Sequence, residues 1–150
     1  MSEHKVKISW QNKGTDFTYS AYDRTHTWEF EGGKTIQASA APEYMGKIDF
    51  INPEEALVAS LSSCHMMTFL FVCSKKKIIV ETYEDQSIAI LAKNSTNKMA
   101  ITEVYLRPKI SFRGENQPTR EMIDLLHEKA HEECFIANSV LTKIIIEPIY

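Results

Sequence analysis

Apolar and polar residues alternate from Lys5 to Trp10, with Val6, Ile8 and Trp10 on one face, which predicts a first strand. Phe17 to Tyr22 is rich in strand formers and reads as another. Trp28 and Phe30 share a face and run into Gly32-Gly33, a two-residue hairpin turn, with Thr35 to Ala38 as the returning strand. Pro42 to Asp49 reads as a loop that delivers the chain to its longest apolar segment, Asn52 to Lys77. There Asn52 suits a helix cap, Pro53 the first turn, and Glu54 and Glu55 the positive end of the helix dipole, while Lys75, Lys76 and Lys77 suit the negative end. With His65 neutral no charge lies between those ends, so the helix lacks a wet face and is predicted to be buried all round. It spans roughly 20–24 residues, about 30–35 Å. Ser60, Ser62, Ser63, His65 and Thr68 make it too polar for a membrane span. Ala56, Ala59, Ser60 and Ser63 form a stripe of small residues that admits a close partner, and a second copy of the helix is the natural one. The pattern therefore predicts a homodimer.

Beyond the lysines, Ile78 to Tyr83 and Ser87 to Ala92 read as strands, followed by a turn at Asn94 to Asn97. Thr102, Val104, Leu106, Ile110 and Phe112 share one face of the cleanest two-residue period in the chain, interrupted by Pro108, which suggests a bulge or an edge position. Pro118 and Thr119 open a second helix that runs to about Glu133, with Met122, Leu125, Leu126 and Ala130 as its buried stripe. Leu141 to Ile149 reads as the last strand. This is an α+β pattern in a single domain, residues 1–150, with mostly antiparallel strands around the helices.

The totals narrow the function. A length of 150 residues with 43% hydrophobic and 25% charged is ordinary for one globular domain. A net charge of −3 gives no reason to expect nucleic acid or an anionic membrane as a partner. The opening residues, MSEHKVKISW, carry no apolar signal core, so a cytoplasmic location is expected. In a reducing compartment three cysteines point to a reactive thiol or a metal ligand rather than a disulfide framework.

Cys64, near the middle of the long helix, and Cys134, at the end of the second, are the first chemical candidates; the alternative for Cys64 is a small core residue. Cys73 reads as core, and on one helix it lies about 13.5 Å from Cys64, too far to bridge.

Asn52-Pro53-Glu54 followed by a small-residue helix reaching Cys64 resembles the OsmC/Ohr family of thiol peroxidases. The second half fits as well: a helix ending in His131-Glu132-Glu133-Cys134, then Asn138, then a terminal strand. The resemblance covers nearly the whole chain, although Phe135 stands where the family usually carries proline, and His65-Met66-Met67 after Cys64 is a variant of the broader OsmC-like branch. It implies antiparallel sheets wrapped around a long central helix in an intertwined homodimer. It also implies reduction of organic hydroperoxides with no bound cofactor. Cys64 would be the peroxidatic thiolate and Cys134 the resolving thiol, with a dithiol, lipoyl in some members, as reductant.

A mid-helix thiol gains nothing from the helix N-terminus and needs a cation nearby. The resemblance assigns that cation to Arg24, held by Glu54; read without it, Arg24 is a solvated turn residue and Glu54 a first-turn dipole residue. Glu54 and Cys64 lie about 15 Å apart along a straight helix, so two copies crossing at a dimer interface would bring Glu54 of one toward Cys64 of the other. Two rival readings stand beside this one. The first is a zinc site drawn from Cys64, His65, His131 and Cys134, whose ligand types suit the metal although adjacent helical residues diverge by about 100°. The second is a non-catalytic module binding apolar or acyl ligands in a slot at the dimer interface lined by Leu61, Met66, Met67, Phe69 and Phe71.

Overall fold

The computed structural model describes residues 1–14 and 16–150. The chain divides into two compact units, Met1–Ala56 and Leu57–Tyr150.

In the first unit, β1 (Val6–Ser9), β2 (His26–Phe30) and β3 (Thr35–Ala38) form an antiparallel sheet in that order. Ile8 faces Trp28 and Trp28 faces Ile36 across the ladders, so one face collects large apolar side chains. The turn between β2 and β3 places Gly33 at φ 77°, a left-handed conformation that glycine adopts without penalty. Phe17 to Tyr22 is not the strand its composition predicts. Asp16 Oδ1 accepts from Thr18 N at 3.0 Å, and Ala21 and Tyr22 both donate to Thr18 O, so a side-chain-nucleated turn outcompetes strand propensity. The aromatic rings freed by that turn pack on Trp10, which lies 5.7 Å from Phe17 and 6.5 Å from Tyr22. In the loop before the long helix the backbone passes so close to itself that a Cβ on Gly46 would lie 1.5 Å from Ala40 O.

The long helix, α1, spans Pro53–Lys75. Asn52 and Glu55 close a reciprocal cap at its start: Asn52 Oδ1 accepts from Glu55 N at 2.8 Å and Glu55 Oε2 from Asn52 N at 3.1 Å. Its end is a left-handed cap, with Lys77 at φ 58° and Ile78 N donating to Cys73 O at 3.0 Å. α1 is long and apolar enough to cross a bilayer by composition, but its buried residues, Leu61, His65, Phe69 and Cys73, recur every fourth position as one core stripe. The expectation of burial all round is corrected: Met67 and Phe71 are 61% and 59% exposed on another face.

The second unit holds two sheets and α2 (Arg120–Glu133). β4 (Ile79–Asp85) pairs antiparallel with β7 (Pro108–Arg113). β6 (Met99–Leu106) lies between β5 (Ile88–Lys93), antiparallel, and β8 (Lys143–Ile146), parallel. The period from Thr102 to Phe112 is thus two strands serving different sheets, and Pro108 marks the break rather than a bulge. Arg107, at the break, donates its N–H to Asp85 Oδ1 at 2.7 Å, and the other oxygen of Asp85 accepts from Ser62 at 2.5 Å and Ser87 at 2.7 Å. α1 packs into two clusters. Phe69 and Cys73 meet Ile78, Leu126 and Ala130, while Leu61 meets Val104 and Leu106. On α2 the buried residues are Leu126, His127 and Ala130. Met122 and Leu125, expected in the stripe, are exposed, because His127 takes the inward position that an apolar count gives to Leu125.

Candidate functional site

Cys64 and Cys134 both lie in the second unit as free thiols. α1 presents Cys64 half-buried beside its core stripe, and the chain leaves α2 at Cys134, which caps the helix in an extended conformation. The following residues fold back in a 3-10 turn, Ala137–Ser139, held by Asn138 N to Cys134 O and by Asn138 Nδ2 to Glu132 O at 2.9 Å. This return aims two backbone donors at the sulfurs: Ile136 N at Cys64 Sγ and Ala137 N at Cys134 Sγ, each at 3.5 Å. The two sulfurs are thus neighbours, each held against one of two consecutive backbone N–H groups, and each thiol acts on the other's titration. Burial, and then the neighbouring thiol, pushes the Cys134 thiol up to about 11. Cys134 is therefore a proton donor at neutral pH, set against a half-exposed neighbour. Amide N–H groups at such a place supply partial positive charge to any anionic sulfur or oxygen that forms there.

Cys73 is buried in the core, and burial pushes its thiol up to about 11. It is an inert apolar filler.

Arg24 and Glu54 belong to the first unit. Arg24 is fixed by its own loop, with Nη1 donating to Tyr22 O at 3.0 Å and Nη2 to Tyr19 O at 2.7 Å, and its guanidinium stacks 4.0 Å from the Tyr22 ring centre. It lines a cavity of about 660 Å³ with Trp10, Phe17, Tyr19, Tyr22 and Tyr44. Glu54 is half-buried in the first turn of α1. The capping acid is Glu55, and among the described residues no ion pair joins Glu54 to Arg24 within one chain. Two of the five guanidinium N–H groups are taken by carbonyls of the Tyr19–Tyr22 turn.

The residues of the rival readings fall elsewhere. Among the described residues no three His, Cys, Asp or Glu side chains converge as a metal site. His65 turns into the core instead, its Nε2 2.9 Å from His127 Nδ1, with the two rings stacked at 8°. Leu61 and Phe69 belong to separate core clusters while Met67 and Phe71 face outward, so within one chain these residues line no common slot.

The buried imidazole pair was not legible as such. The signal that points His127 inward is that it shares its turn with Leu126 and Ala130. Burial first, then the nearby imidazoles, pull His65 down to about 4; burial does the same to His127.

A family model described as "OsmC-like protein" matches residues 46–148. Among solved structures, an OsmC-like protein of unknown function from Vibrio cholerae is 45% identical, with a TM-score of 0.96 over 99% of this chain and 100% of that one. An organic hydroperoxide resistance protein OsmC from Legionella pneumophila is 19% identical, with a TM-score of 0.72 over 99% and 96% of the two chains. The organic hydroperoxide resistance protein OhrB of Bacillus subtilis is 18% identical, with a TM-score of 0.72 over 99% and 98%. No curated protein sequence matches significantly.

Proposed function

From the premise that this chain belongs to the OsmC-like family, we propose that it is a thiol peroxidase that reduces organic hydroperoxides in the cytoplasm, with residues 1–150 acting as one domain. The observation that carries this reading is the placing of two free thiols from different helices against consecutive backbone N–H groups, Ile136 N facing Cys64 and Ala137 N facing Cys134. The names of the Legionella and Bacillus structures agree with it.

In this reading the Cys64 thiolate attacks the outer oxygen of the hydroperoxide. The O–O bond breaks, the alkoxide takes up a proton and leaves as an alcohol, and Cys64 is left as a sulfenic acid. The Cys134 sulfur then attacks the Cys64 sulfur. The S–O bond breaks, the thiol proton of Cys134 goes to the departing hydroxide, and water and a disulfide result. A dithiol, lipoyl or similar, returns both cysteines to thiols and leaves oxidised. The sulfurs sit beside consecutive backbone N–H groups, so the second step needs no large movement of the chain. Arg24 supplies the cation that keeps Cys64 ionised, and Glu54 orients it. Because Glu54 precedes Cys64 on one unbroken helix by about 15 Å, both act on the Cys64 of a second copy, giving two composite sites in a homodimer. The exposed stripe of α1 through Ser60, Ser63, Met67 and Phe71 supports such a dimer.

The direct test is intact mass before and after one equivalent of cumene hydroperoxide. A loss of two hydrogens per chain is expected, with a peptide map placing the disulfide between Cys64 and Cys134. Cys64→Ser should abolish turnover with a dithiol, and Cys134→Ser should stop at an over-oxidisable sulfenic acid. Undiminished turnover in Cys64→Ser would end the assignment.

A further inference from the structure

The second unit contains a cavity of about 300 Å³ that includes neither Cys64 nor Cys134 in its walls. Ile110, Phe112, Ile123 and Ile149 make it apolar, and its size is at the lower end for small-molecule sites. His127 is one of its walls. This ring is only 2% exposed; its Nδ1 is taken by His65 Nε2, and its Nε2 is buried with no hydrogen-bond partner. A buried ring nitrogen left without a partner costs free energy. A ligand in the cavity that satisfied it would recover that cost.

The walls also define the ligand's charge. Arg120 stacks on the Tyr150 ring at 4.6 Å, and Tyr150 donates its hydroxyl to Asp124. Arg120 is a wall and Asp124 lies outside the lining, but Tyr150 ties the two together, so the guanidinium's charge is offset close by and a neutral molecule is accommodated. The tautomers define its polar group. One proton is shared along His65 Nε2 and His127 Nδ1; if His65 donates, His127 Nε2 carries N–H, and if His127 donates, Nε2 offers a lone pair. A hydroxyl can meet either form, whereas a carbonyl meets only the first.

We propose that this cavity is a binding site for a small neutral molecule with an apolar body and one hydroxyl, such as a phenol or a short branched alcohol, whose oxygen hydrogen-bonds His127 Nε2. The site is separate from the cysteine chemistry. It is nonetheless linked to α1, since His65 directly follows Cys64 in the sequence and receives the other end of the imidazole pair.

Phenol is the probe. The full-length protein labelled with 15N-histidine is titrated with it near neutral pH, and long-range 1H–15N spectra follow the ring nitrogens. Saturable shifts of His127 Nε2 and Nδ1 are expected, with a dissociation constant on the order of 1 mM for a ligand of this size. Methyl signals of Ile123 and Ile149 should shift along the same curve. Ile123→Trp, which fills the cavity from one of its walls, should remove the response while oxidation of Cys64 by cumene hydroperoxide proceeds as before. Should that variant fail to fold, Ile149→Trp provides the same blockade from the opposite wall. Linear, non-saturating shifts would overturn the proposal, as would saturation mapping to the cavity beside Arg24 or a response that survives both blockades.

Discussion

At the scale of single residues, the three cysteines have been given different environments by burial alone. Cys73 and Cys134 are each 1% exposed, with thiols pushed up to about 11, whereas Cys64 is only half-buried. Limited iodoacetamide at neutral pH should therefore add one carbamidomethyl group per chain, and peptide mapping should find it on Cys64. First labelling at Cys73 would contradict the packing. The imidazole pair yields a second prediction. Both rings sit at about 4 in the fold against 6.5 for a free histidine, so the unfolded chain binds more protons than the native one between those values. Stability is then fully present above about 6.5 and falls as the pH drops toward about 4, by up to a few kcal/mol for the coupled pair. Urea midpoints across that range measure it. His127→Phe should flatten the curve, and an unchanged slope in that variant would show that other groups drive the loss.

At the scale of elements, each helix is defined by its ends and one stripe. Asn52→Ala removes a cap oxygen and leaves Glu55 N without its acceptor, an expected loss of about 1 kcal/mol in chemical denaturation. Phe69→Ala empties the centre of a core cluster and should cost about 3–5 kcal/mol. The helix ends were legible in the sequence because capping is local chemistry: Asn52, Glu55 and the terminal lysines signal themselves. The strands of β1, β2 and β3 were legible through alternation. What was not legible depended either on one side chain overriding a run of propensity or on partners far away in the chain. The turn at Phe17 to Tyr22 is decided by one carboxylate, Asp16, against six residues of strand propensity. The phase of α2 is decided by His127, whose partner lies 62 positions upstream. The sulfur pair was brought out by resemblance, and the donors from Ile136 and Ala137 could be seen only once the chain turned back at Cys134.

At the scale of the whole molecule, α1 carries more apolar surface than its own chain covers. Met67 and Phe71, both mostly exposed, lie one turn apart on it. Phe71→Glu, or Met67→Glu with it, should shift the protein toward a slower-sedimenting monomer in analytical ultracentrifugation while leaving the far-ultraviolet circular dichroism intact. Hydroperoxide turnover should fall with the dimer, since the proposed reaction draws Arg24 and Glu54 from a second copy; a fully active monomer would remove that part of the reading. The break at Arg107 has a consequence of another kind. The backbone there changes sheets, with β6 on one side of it pairing with β5 and β8 and β7 on the other with β4. A one-residue insertion within β7 would turn over the inward and outward faces of its ladder with β4 and disturb its bridge to Ile149, while the ladders of β6 would keep their alignment. Arg107, pinned to Asp85, thus acts as a firebreak, letting either flank accumulate length changes without corrupting the other.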